Sequence, residues 1–279
     1  MTDDATRAFV PGHVTGFFSV ERADDPTKTG SRGAGLALSD GVTVAVEPTT
    51  DESTIWLDGS TIEMDAVETV LDALGVRATV RAETDLPLGS GFGVSGAMAL
   101  GTALAANEAF GRALSENELV TVAHGAEVQA GSGLGDVVAQ SRGGAAIRLE
   151  PGGPQHNTLD GIPARRRVEY CTFGELATAD VITGDTETLS AAGERALSSL
   201  VGDPTMETFM TASRRFAREA GILTPGIRSV VEDVADAGGT ASMAMLGETV
   251  FALGSGLSDA GYDAAVCEID PAGARLRPE

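Results

Sequence analysis

The sequence predicts an α+β protein that is divided into two domains. Its 279 residues exceed the roughly 100–200 residues of one typical domain. Stretches in which apolar and polar residues alternate, as in strands, are interspersed with stretches of helical periodicity. A glycine- and proline-rich segment, PGGPQHN at 151–157, interrupts both patterns. We therefore expect an N-terminal domain over residues 1–155 and a C-terminal domain over residues 156–279.

The first domain is predicted to contain several strands and three helices. Alternating apolar residues predict the strands, and apolar residues three and four positions apart predict the helices. Ser115 and Glu118 have the spacing of a capping box, which stabilises the first turn of a helix. The expected elements are extended segments around a Pro11–Gly12 turn in 5–20, a hairpin over 35–48, helix 61–74, strand 76–83, helix 97–111, a helix from Ser115 to about Gln129, and strand 143–150.

The second domain is predicted to mix strands and helices in the same way. The same two periodicities distinguish its elements. The expected elements are strand 167–173, a helical stretch over 187–220, helix 226–237, strands 240–245 and 248–253, helix 256–262, and a strand near 264–269.

The chain is strongly acidic, with 41 acidic and 19 basic residues and a net charge of −22, and Lys28 is its only lysine. Such a charge repels phosphate backbones and anionic lipids, so we expect neither nucleic acid nor a membrane as a partner. An acidic, lysine-poor surface is typical of proteins from salt-loaded, haloarchaeal cytoplasms, where salt screens the self-repulsion. We therefore interpret the acidity as an adaptation to habitat.

The sequence also predicts a cytoplasmic location. No segment approaches the roughly 18 unbroken apolar residues of a membrane helix. The N-terminus lacks the basic start and apolar core of a secretory signal. Cys171 and Cys267 are too few and too far apart for a disulfide framework or a zinc site, so both are predicted to be reduced, structural thiols.

A glycine-rich loop between a predicted strand and a predicted helix is the strongest candidate for a functional site. The segment DLPLGSGFGVSGA at 85–97 contains four glycines and two serines. Glycine lets the backbone approach a ligand without obstruction by a side chain. The following helix directs free N–H groups and the positive end of its dipole into the loop. The segment therefore predicts an anion site, and phosphate is the usual occupant of such a site.

The loop pattern alone leaves its ligand open. Gly91, Gly93 and Gly96 satisfy the G-x-G-x-x-G pattern of dinucleotide-binding proteins. That pattern belongs to an opening βαβ unit, however, whereas here it follows about eighty residues of other structure. A P-loop is excluded because it would end in Gly-Lys-Ser/Thr, and lysine is absent from this segment. A glycine-rich connector without a ligand remains open.

The loop resembles the phosphate-binding motif of the GHMP kinases, the superfamily of galactokinase and of homoserine, mevalonate and phosphomevalonate kinases. The segment RAFVPGHVTGFF at 7–18 resembles their N-terminal motif A-P-G-K-x-x-L-x-G, and GGTASMAMLGETVFAL at 238–253 occupies the place of their C-terminal glycine-rich motif. The resemblance therefore spans nearly the whole chain. The loop matches the family pattern P-x-x-x-G-L-G-S-S-A-A at Pro87, Gly91, Gly93, Ser95 and Ala97, with Phe92 in place of leucine.

Two departures from the family pattern narrow the resemblance. His13 replaces the usual lysine, and SMAMLG at 242–247 replaces a string of glycines. Together with SRGAGLAL at 31–38, these variants resemble the archaeal pantoate kinase branch, which phosphorylates (R)-pantoate on the route to coenzyme A. The resemblance implies ATP-dependent phosphorylation of the primary hydroxyl of pantoate, giving 4-phosphopantoate, with Mg²⁺ as a cofactor. It also implies a ribosomal-protein-S5-domain-2-like N-terminal domain and a ferredoxin-like C-terminal domain.

The resemblance assigns chemical roles to three side chains. Asp136 matches the family's catalytic aspartate, and a carboxylate beside a hydroxyl can accept its proton. Ser95 and Glu127 match the residues that hold Mg²⁺, an ion that prefers a few protein oxygens together with phosphate and water. The phosphates of ATP are assigned to the loop residues Pro87, Gly89, Ser90, Gly91, Phe92, Gly93, Val94, Ser95, Gly96 and Ala97.

The carboxylate of pantoate requires a cationic partner, and the forked donors of arginine suit it best. Arg148 is the first choice because it lies on the predicted strand that follows Asp136. His13 occupies a position where the family places an active-site residue. The candidate substrate-binding residues are Arg148, His13, Arg32, Lys28 and Thr183, with Arg22 as a further competitor.

Other interpretations of these residues remain open. Ser95 can cap helix 97–111, Asp136 can cap the turn after Gly135, and His13 and His124 can be structural histidines. The acceptor can be another small alcohol, such as mevalonate, homoserine or shikimate. A nucleotide-binding homologue without turnover and a dinucleotide oxidoreductase are further alternatives. The sequence is compatible with a homodimer but does not determine the oligomeric state.

Overall fold

A computed structural model describes residues 5–174, 186–245 and 248–278. The first half contains seven strands and four helices, and the second half contains five strands and four helices among these residues. The strands are β1 Thr6–Glu21, β2 Gly30–Pro48, β3 Thr54–Leu57, β4 Ser60–Ile62, β5 Ala78–Thr84, β6 Ala145–Glu150, β7 Thr158–Ile162, β8 Arg167–Gly174, β9 Thr240–Ala244, β10 Glu248–Leu253, β11 Ala265–Glu268 and β12 Arg275–Arg277. The helices are α1 Asp65–Leu74, α2 Val94–Ala109, α3 Glu116–Ala130, α4 Asp136–Arg142, α5 Glu187–Gly202, α6 Met206–Glu219, α7 Pro225–Asp236 and α8 Gly256–Asp259.

The strands form two sheets, one in each half of the molecule. The larger sheet has eight strands in the order β12-β1-β2-β5-β3-β4, and β6 pairs with β2 and with β7. All of its pairs are antiparallel except β3 with β5. The smaller sheet is antiparallel, with the order β11-β8-β10-β9. The mixed α+β architecture predicted from the sequence is therefore confirmed.

The two long N-terminal strands differ from the predicted turns. Pro11–Gly12 forms a register shift within β1 and not a turn, and the expected hairpin over 35–48 is one continuous strand, β2. Pro11 pairs with Gly41 whereas Gly12 pairs with Leu38, so the extra residues of β2 form a bulge. A bulge bends a strand without ending it. This bend lets β2 pair with β5 on one side of it and with β6 on the other.

Helix α2 is the central helix of the N-terminal half. It is apolar on all sides and buried along most of its length, as expected for a helix covered by other elements. Gly101 lies so close to the sheet that a methyl group there would be 2.6 Å from Val44 Cγ2. The helix begins at Val94, three residues before the predicted start, because Gly93 adopts a left-handed conformation (φ 64°) and caps it. Ser95, Gly96 and Ala97 therefore belong to its first turn.

Helices α3 and α4 bring the acidic candidates toward α2. The predicted capping box of α3 is confirmed, since Ser115 Oγ accepts from the Glu118 N–H and Glu118 accepts from the Ser115 N–H. Helix α4 was not expected from the sequence, because it is only seven residues long. It begins at Asp136, directly after Gly135.

The second half packs on the first through aromatic residues and backbone hydrogen bonds. The predicted helical stretch 187–220 is divided into α5 and α6, and the Thr205 side chain caps α6. Phe17 and Phe209 have ring centroids 6.1 Å apart. The Met245 N–H, just beyond β9, donates to the Thr15 carbonyl at 2.9 Å. Residues of the N-terminal motif therefore lie directly against the C-terminal half.

The predicted domain boundary at residue 155 stays a prediction. The larger sheet contains strands from both sides of that boundary. β7 follows the boundary in sequence and pairs with β6 of the larger sheet, and β12 near the end of the chain pairs with β1. We propose that the two structural units are divided after β7, with β12 returning to the first unit. Within the described part of the chain, every helix is too short or too polar to span a bilayer.

Candidate active site

The loop that precedes α2 has the backbone of an anion site. Gly89, Gly91 and Gly93 have φ values of 70°, 85° and 64°, a region in which only glycine is free of strain. The first N–H groups of a helix have no acceptor within the helix itself. The loop therefore presents both open backbone and the positive end of the α2 dipole to a ligand.

A cavity of about 350 Å³ lies over this loop. Its size suits a small-molecule ligand. The loop and the first turn of α2 form one wall, and the C-terminal end of α3 and the start of α4 form another. The lining residues outside the loop include Thr15, Met64, Ala130, Ser132, Asp136 and Met245. The cavity is therefore built from both halves of the chain.

Asp136 stands at the N-terminus of α4 and faces the loop. Its side chain is one-fifth exposed and lines the cavity. A methyl group on Gly93 would be 3.1 Å from Asp136 Cβ and 3.0 Å from Gln140 Nε2. Gln140, one turn further along α4, donates from Nε2 to the Gly93 carbonyl at 2.9 Å. Helix α4 therefore fixes the carboxylate and the loop relative to each other.

His13 holds the carboxylate of Asp136 from the other side. Its Nδ1 lies 2.6 Å from Asp136 Oδ1 and 3.3 Å from Thr15 Oγ1. Its Nε2 is buried and has no hydrogen-bond partner. That atom faces Gly35, where an added methyl group would be only 2.3 Å away. The arrangement fits a neutral imidazole that donates from Nδ1 to Asp136 and keeps a lone pair at Nε2.

Burial and neighbouring groups determine the protonation states of His13 and Asp136. Burial lowers the pKa of His13 and outweighs the opposing effect of Asp136, so the imidazole is neutral. Burial alone would raise the pKa of Asp136, but the hydrogen bond from His13 and the positive charge of Arg148 oppose it, and the pKa of Asp136 is lowered. Asp136 is therefore an ionised carboxylate, which can accept a hydrogen bond or a proton.

Glu127 forms a second carboxylate site on α3. Its side chain is buried, and it accepts hydrogen bonds from Ser95 Oγ at 3.2 Å and from Ser132 Oγ at 2.7 Å. Burial raises the pKa of Glu127 to about 7, and the Asp136 charge adds to the shift, although both serine hydroxyls oppose it. A methyl group on Gly133 would be 2.4 Å from Glu127 Oε2 and 3.6 Å from Asp136 Oδ2. The two carboxylates therefore flank Gly133.

The Ser95 and Glu127 pair is suited to a divalent cation. A buried carboxylate whose pKa is raised lacks a compensating positive charge, and a cation would supply it. Mg²⁺ binds through one or two protein oxygens and completes its shell with phosphate and water. Among the residues that the structure describes, no group of three or more His, Cys, Asp or Glu is arranged to hold a metal ion. The donor set therefore fits an ion that arrives with phosphate ligands.

Arg148 is a buried cation next to Asp136. It is 2% exposed and lies on β6, where its Nε donates to the Ser31 carbonyl at 3.3 Å. A methyl group on Gly135 would be 2.8 Å from Arg148 Nε. Its Nη1 is buried without a hydrogen-bond partner, and within the described ranges no carboxylate forms an ion pair with it. Buried polar groups normally have partners, so the unpaired Nη1 indicates that an acceptor is missing, and an anionic ligand would supply it.

Lys28, Arg32 and Arg22 are not among the residues that line the cavity over the loop. Lys28 is exposed, and its N–H donates to the Asp25 carbonyl. Arg32 is half-buried and donates from Nε to the Leu149 carbonyl at 2.8 Å. Thr183 falls outside the described residues, and Arg22 is exposed. Their roles in substrate binding stay predictions.

Several loop residues contribute to structure as well as to the site. Phe92 is buried with its ring centroid 4.8 Å from that of Tyr170, and its carbonyl accepts from the His13 N–H at 2.9 Å. Ser90 is buried and donates to the Leu88 carbonyl. His124 is buried with Nε2 2.8 Å from the Thr29 carbonyl, as expected for a structural histidine.

Sequence reasoning missed several residues of the site. Thr15, Ser132 and Met245 line the cavity, and Gln140 anchors the loop. Thr15 lies two residues after His13, and Gln140 lies one helical turn after Asp136, so spacing from the assigned residues could have found both. Ser132 and Met245 reach the cavity through tertiary packing, which no local pattern indicates.

The chain matches a known family model and curated proteins. Residues 61–144 match the model of the GHMP kinases N terminal domain. The chain is 35% identical to a pantoate kinase of Methanocaldococcus jannaschii over 252 residues, which cover 88% of this chain and 91% of that protein. It is also 35% identical to a pantoate kinase of Thermococcus kodakarensis over 263 residues, covering 88% of this chain and 87% of that protein.

A solved structure agrees with these sequence matches. A phosphotransferase related to the CoA biosynthesis pathway superposes with a TM-score of 0.88 and 30% identity, covering 98% of each chain. The matches extend over nearly the whole chain and include the segments that build the cavity. The chain belongs to the GHMP kinases and, within them, to the pantoate kinase family.

Proposed function

We propose that this chain transfers the γ-phosphoryl group of ATP to the primary hydroxyl of (R)-pantoate, giving 4-phosphopantoate for coenzyme A biosynthesis. The family membership supports this assignment. The structural observation that supports it most strongly is the position of Asp136. This ionised carboxylate faces a phosphate-type loop on one side and has the unpaired guanidinium of Arg148 nearby on the other. The carboxylate, the loop and the guanidinium together suit a reaction between a phosphate donor and an alcohol that carries a negative charge.

The loop binds the phosphates of ATP. Backbone N–H groups at the start of α2 donate to phosphate oxygens, and the helix dipole stabilises their charge. The left-handed glycines keep the loop open, so the phosphates can reach the backbone without meeting a side chain. The Gln140 amide holds the Gly93 carbonyl and keeps the loop in this conformation. Phosphoryl transfer depends mostly on such positioning and on charge stabilisation.

Ser95 and Glu127 hold Mg²⁺ when the nucleotide is bound. A Mg²⁺ ion held there would neutralise charge on the phosphate oxygens. Glu127 is ionised in that state, because a neighbouring divalent cation reverses the effect of burial on its pKa. Ser132 holds the other carboxylate oxygen of Glu127, so the side chain keeps one orientation.

Asp136 orients the acceptor hydroxyl and accepts its proton as the oxygen attacks phosphorus. His13 donates to one carboxylate oxygen and leaves the other free to face the substrate. The lowered pKa of Asp136 keeps it ionised at neutral pH, as a proton acceptor must be. Arg148 binds the pantoate carboxylate, and its buried position makes that contact strong because little water competes with it.

A direct assay tests this function. Purified protein with ATP, Mg²⁺ and (R)-pantoate is expected to release ADP and form 4-phosphopantoate, which phosphorus NMR identifies. Mevalonate, homoserine and shikimate serve as competing acceptors at equal concentration, and pantoate is expected to have the highest kcat/KM. ATP binding without acceptor-dependent ADP release, or a higher kcat/KM for another alcohol, would contradict the proposal.

We further propose that the protein works in the cytoplasm of a salt-accumulating archaeon. The net charge of −22 supports this, because a strongly acidic chain repels itself unless salt screens the charge. Activity and thermal stability are expected to rise with KCl concentration up to a high-salt plateau. A stability that is unchanged or falls as KCl is added would contradict the salt adaptation and leave the kinase assignment intact.

A further inference from the structure

A second cavity, of about 370 Å³, lies in the C-terminal half between α6, α7 and β9. β9 is an edge strand of the smaller sheet. The cavity shares no lining residue with the cavity over the phosphate-type loop. Its volume is in the range of small-molecule sites. It is therefore a separate candidate site, and the proposed kinase reaction does not use it.

Three arginines surround this cavity. Arg214 and Arg218 lie one turn apart on the same face of α6, and Arg228 lies on α7. Within the described part of the chain, none of the three forms an ion pair within 4.0 Å. Glu232, four residues after Arg228, also lines the cavity without pairing. Two positive charges one turn apart repel each other and destabilise a helix unless an anion lies between them.

Two neighbouring arginines, unlike these three, do form ion pairs. Arg215, the next residue on α6, lies 3.7 Å from Glu219, and Arg195 on α5 lies 2.8 Å from the same carboxylate. Acidic residues outnumber basic ones 41 to 19 in this chain, so carboxylate partners are abundant. A cationic pocket on such an acidic surface attracts anions from solution.

Ser242 provides a second and independent indication of a ligand. This residue of β9 is fully buried, yet its Oγ has no hydrogen-bond partner and it lines the cavity. Buried hydroxyl groups in folded proteins normally have a partner. A ligand oxygen within the cavity would provide one.

We propose that this cavity binds a small organic phosphate, with the phosphate group between Arg214, Arg218 and Arg228. Guanidinium groups bind phosphate through paired N–H donors, and three of them more than offset the charge of about −2 on a phosphate monoester. Ser242 Oγ donates to the same group or to its ester oxygen. Leu223, Val231 and Met243 form the apolar part of the lining and contact the organic part of the ligand.

Calorimetry with phenyl phosphate, a phosphate monoester with an apolar ring, tests the site. The active site is first filled with pantoate, Mg²⁺ and a non-hydrolysable ATP analogue, so that the probe has access only to other sites. We expect saturable binding to the wild type and weaker binding of inorganic phosphate, which lacks the apolar part. The double variant Arg214→Gln/Arg218→Gln is expected to lose about 10-fold or more in affinity because two charge-assisted contacts are removed.

Matched variants distinguish the pocket from a general charge effect. Arg165→Gln/Arg166→Gln removes the same charge from an exposed segment and is expected to keep the wild-type affinity. Arg228→Gln and Ser242→Ala, on two other elements, are each expected to weaken binding severalfold. The proposal is overturned if the wild type shows no saturable binding, or if both double variants bind the probe equally.

Discussion

His13 Nδ1 lies 2.6 Å from Asp136 Oδ1, which joins the N-terminal motif to the carboxylate at the start of α4. The two residues are 123 positions apart in sequence. The hydrogen bond orients the carboxylate and lowers its pKa against the effect of burial. A lysine at position 13 would place a full charge there, whereas the buried histidine is neutral. Asp136 is therefore positioned by a donor that leaves its negative charge available to the substrate.

Asp136→Asn tests the proton acceptor. Asparagine has nearly the same shape but cannot accept a proton, so kcat is expected to fall by roughly 10²–10⁴, as for other lost acid–base groups. Steady-state kinetics with pantoate and ATP measure the change. The control Asp236→Asn removes a charge at the exposed end of α7 and is expected to leave kcat unchanged. Turnover of Asp136→Asn at the wild-type rate would remove this residue from the mechanism.

His13→Phe tests how the pKa of Asp136 is set. Without the hydrogen bond, burial dominates and raises the pKa of Asp136. A base is active only when it is ionised, and activity is lost as the pH falls through its pKa. The acid limb of the kcat/KM profile is therefore expected to move to higher pH in His13→Phe. His13→Asn retains an N–H donor and is expected to restore part of the shift, whereas an unchanged limb in His13→Phe would contradict this role.

Glu127→Gln separates metal binding from stability. Folding raises the pKa of Glu127 from 4.5 to about 7, so the folded state binds the proton more tightly than the unfolded state. The free energy of unfolding contributed by this group therefore falls as the pH rises through that window and stays low at pH 8. Glutamine is neutral, its carbonyl oxygen can accept from one of the two serine hydroxyls, and its NH2 group can donate to the other.

Metal-free Glu127→Gln is consequently expected to unfold at the same or a higher denaturant concentration than the wild type at pH 8. Its activity at saturating ATP is expected to need more Mg²⁺, and its kcat is expected to fall. Urea unfolding and a Mg²⁺ titration measure the two effects. A variant that is destabilised and still activated by Mg²⁺ at the wild-type concentration would show that Glu127 is structural.

The sequence predictions were accurate where a feature depends on residues close together in sequence, and less accurate where it depends on contacts between distant residues. The Ser115–Glu118 capping box and the end of α1 at Leu74 depend on neighbouring residues, and both were predicted correctly. The predicted start of that helix at residue 61 was wrong, because Ser60–Ile62 forms β4 and pairs with β3. The bulge in β2 was predicted as a hairpin turn, because Asp40–Gly41 has the composition of a turn and only the pairing with β5 and β6 keeps the strand continuous.

The same distinction applies to the candidate site. The loop, Glu127 and Asp136 were proposed as site residues because they match a family motif, and they lie close together in the structure. The contact of His13 with Asp136 and the burial of Arg148 depend on how β1, α4 and β6 pack. No local pattern in the sequence encodes those contacts.

Gly93→Ala tests the loop geometry. The φ of Gly93 is 64°, and a methyl group there would crowd Asp136 and Gln140 at 3.0–3.2 Å. Gly111→Ala is the matched control, because Gly111 has a φ of 58° and an added methyl group would meet nothing within 4 Å. Each variant is expected to lose about 1 kcal/mol of stability from the left-handed backbone.

Only Gly93→Ala is expected to lose activity, with a higher KM for ATP and a lower kcat, since the loop and Asp136 both shift. Urea unfolding and steady-state kinetics of the two variants give the comparison. Equal kinetics in both variants would mean that the contact between the loop and α4 is unimportant for catalysis.

Arg148→Met tests whether a buried cation is kept for the substrate at the expense of stability. Arg148 is buried with Nη1 unpaired, and burial lowers its pKa more than the Asp136 charge raises it, so replacing this charge with an apolar side chain is neutral or stabilising. The free energy of unfolding is therefore expected to stay equal or rise. The KM for pantoate is expected to increase by about 10²-fold, the loss typical of a buried charge contact, while the KM for ATP stays unchanged. Arg32→Met, which removes a competing arginine on β2, is expected to leave both constants near the wild-type values. If Arg32→Met instead raises the KM for pantoate and Arg148→Met does not, the carboxylate is bound from β2 and Arg148 has a structural role.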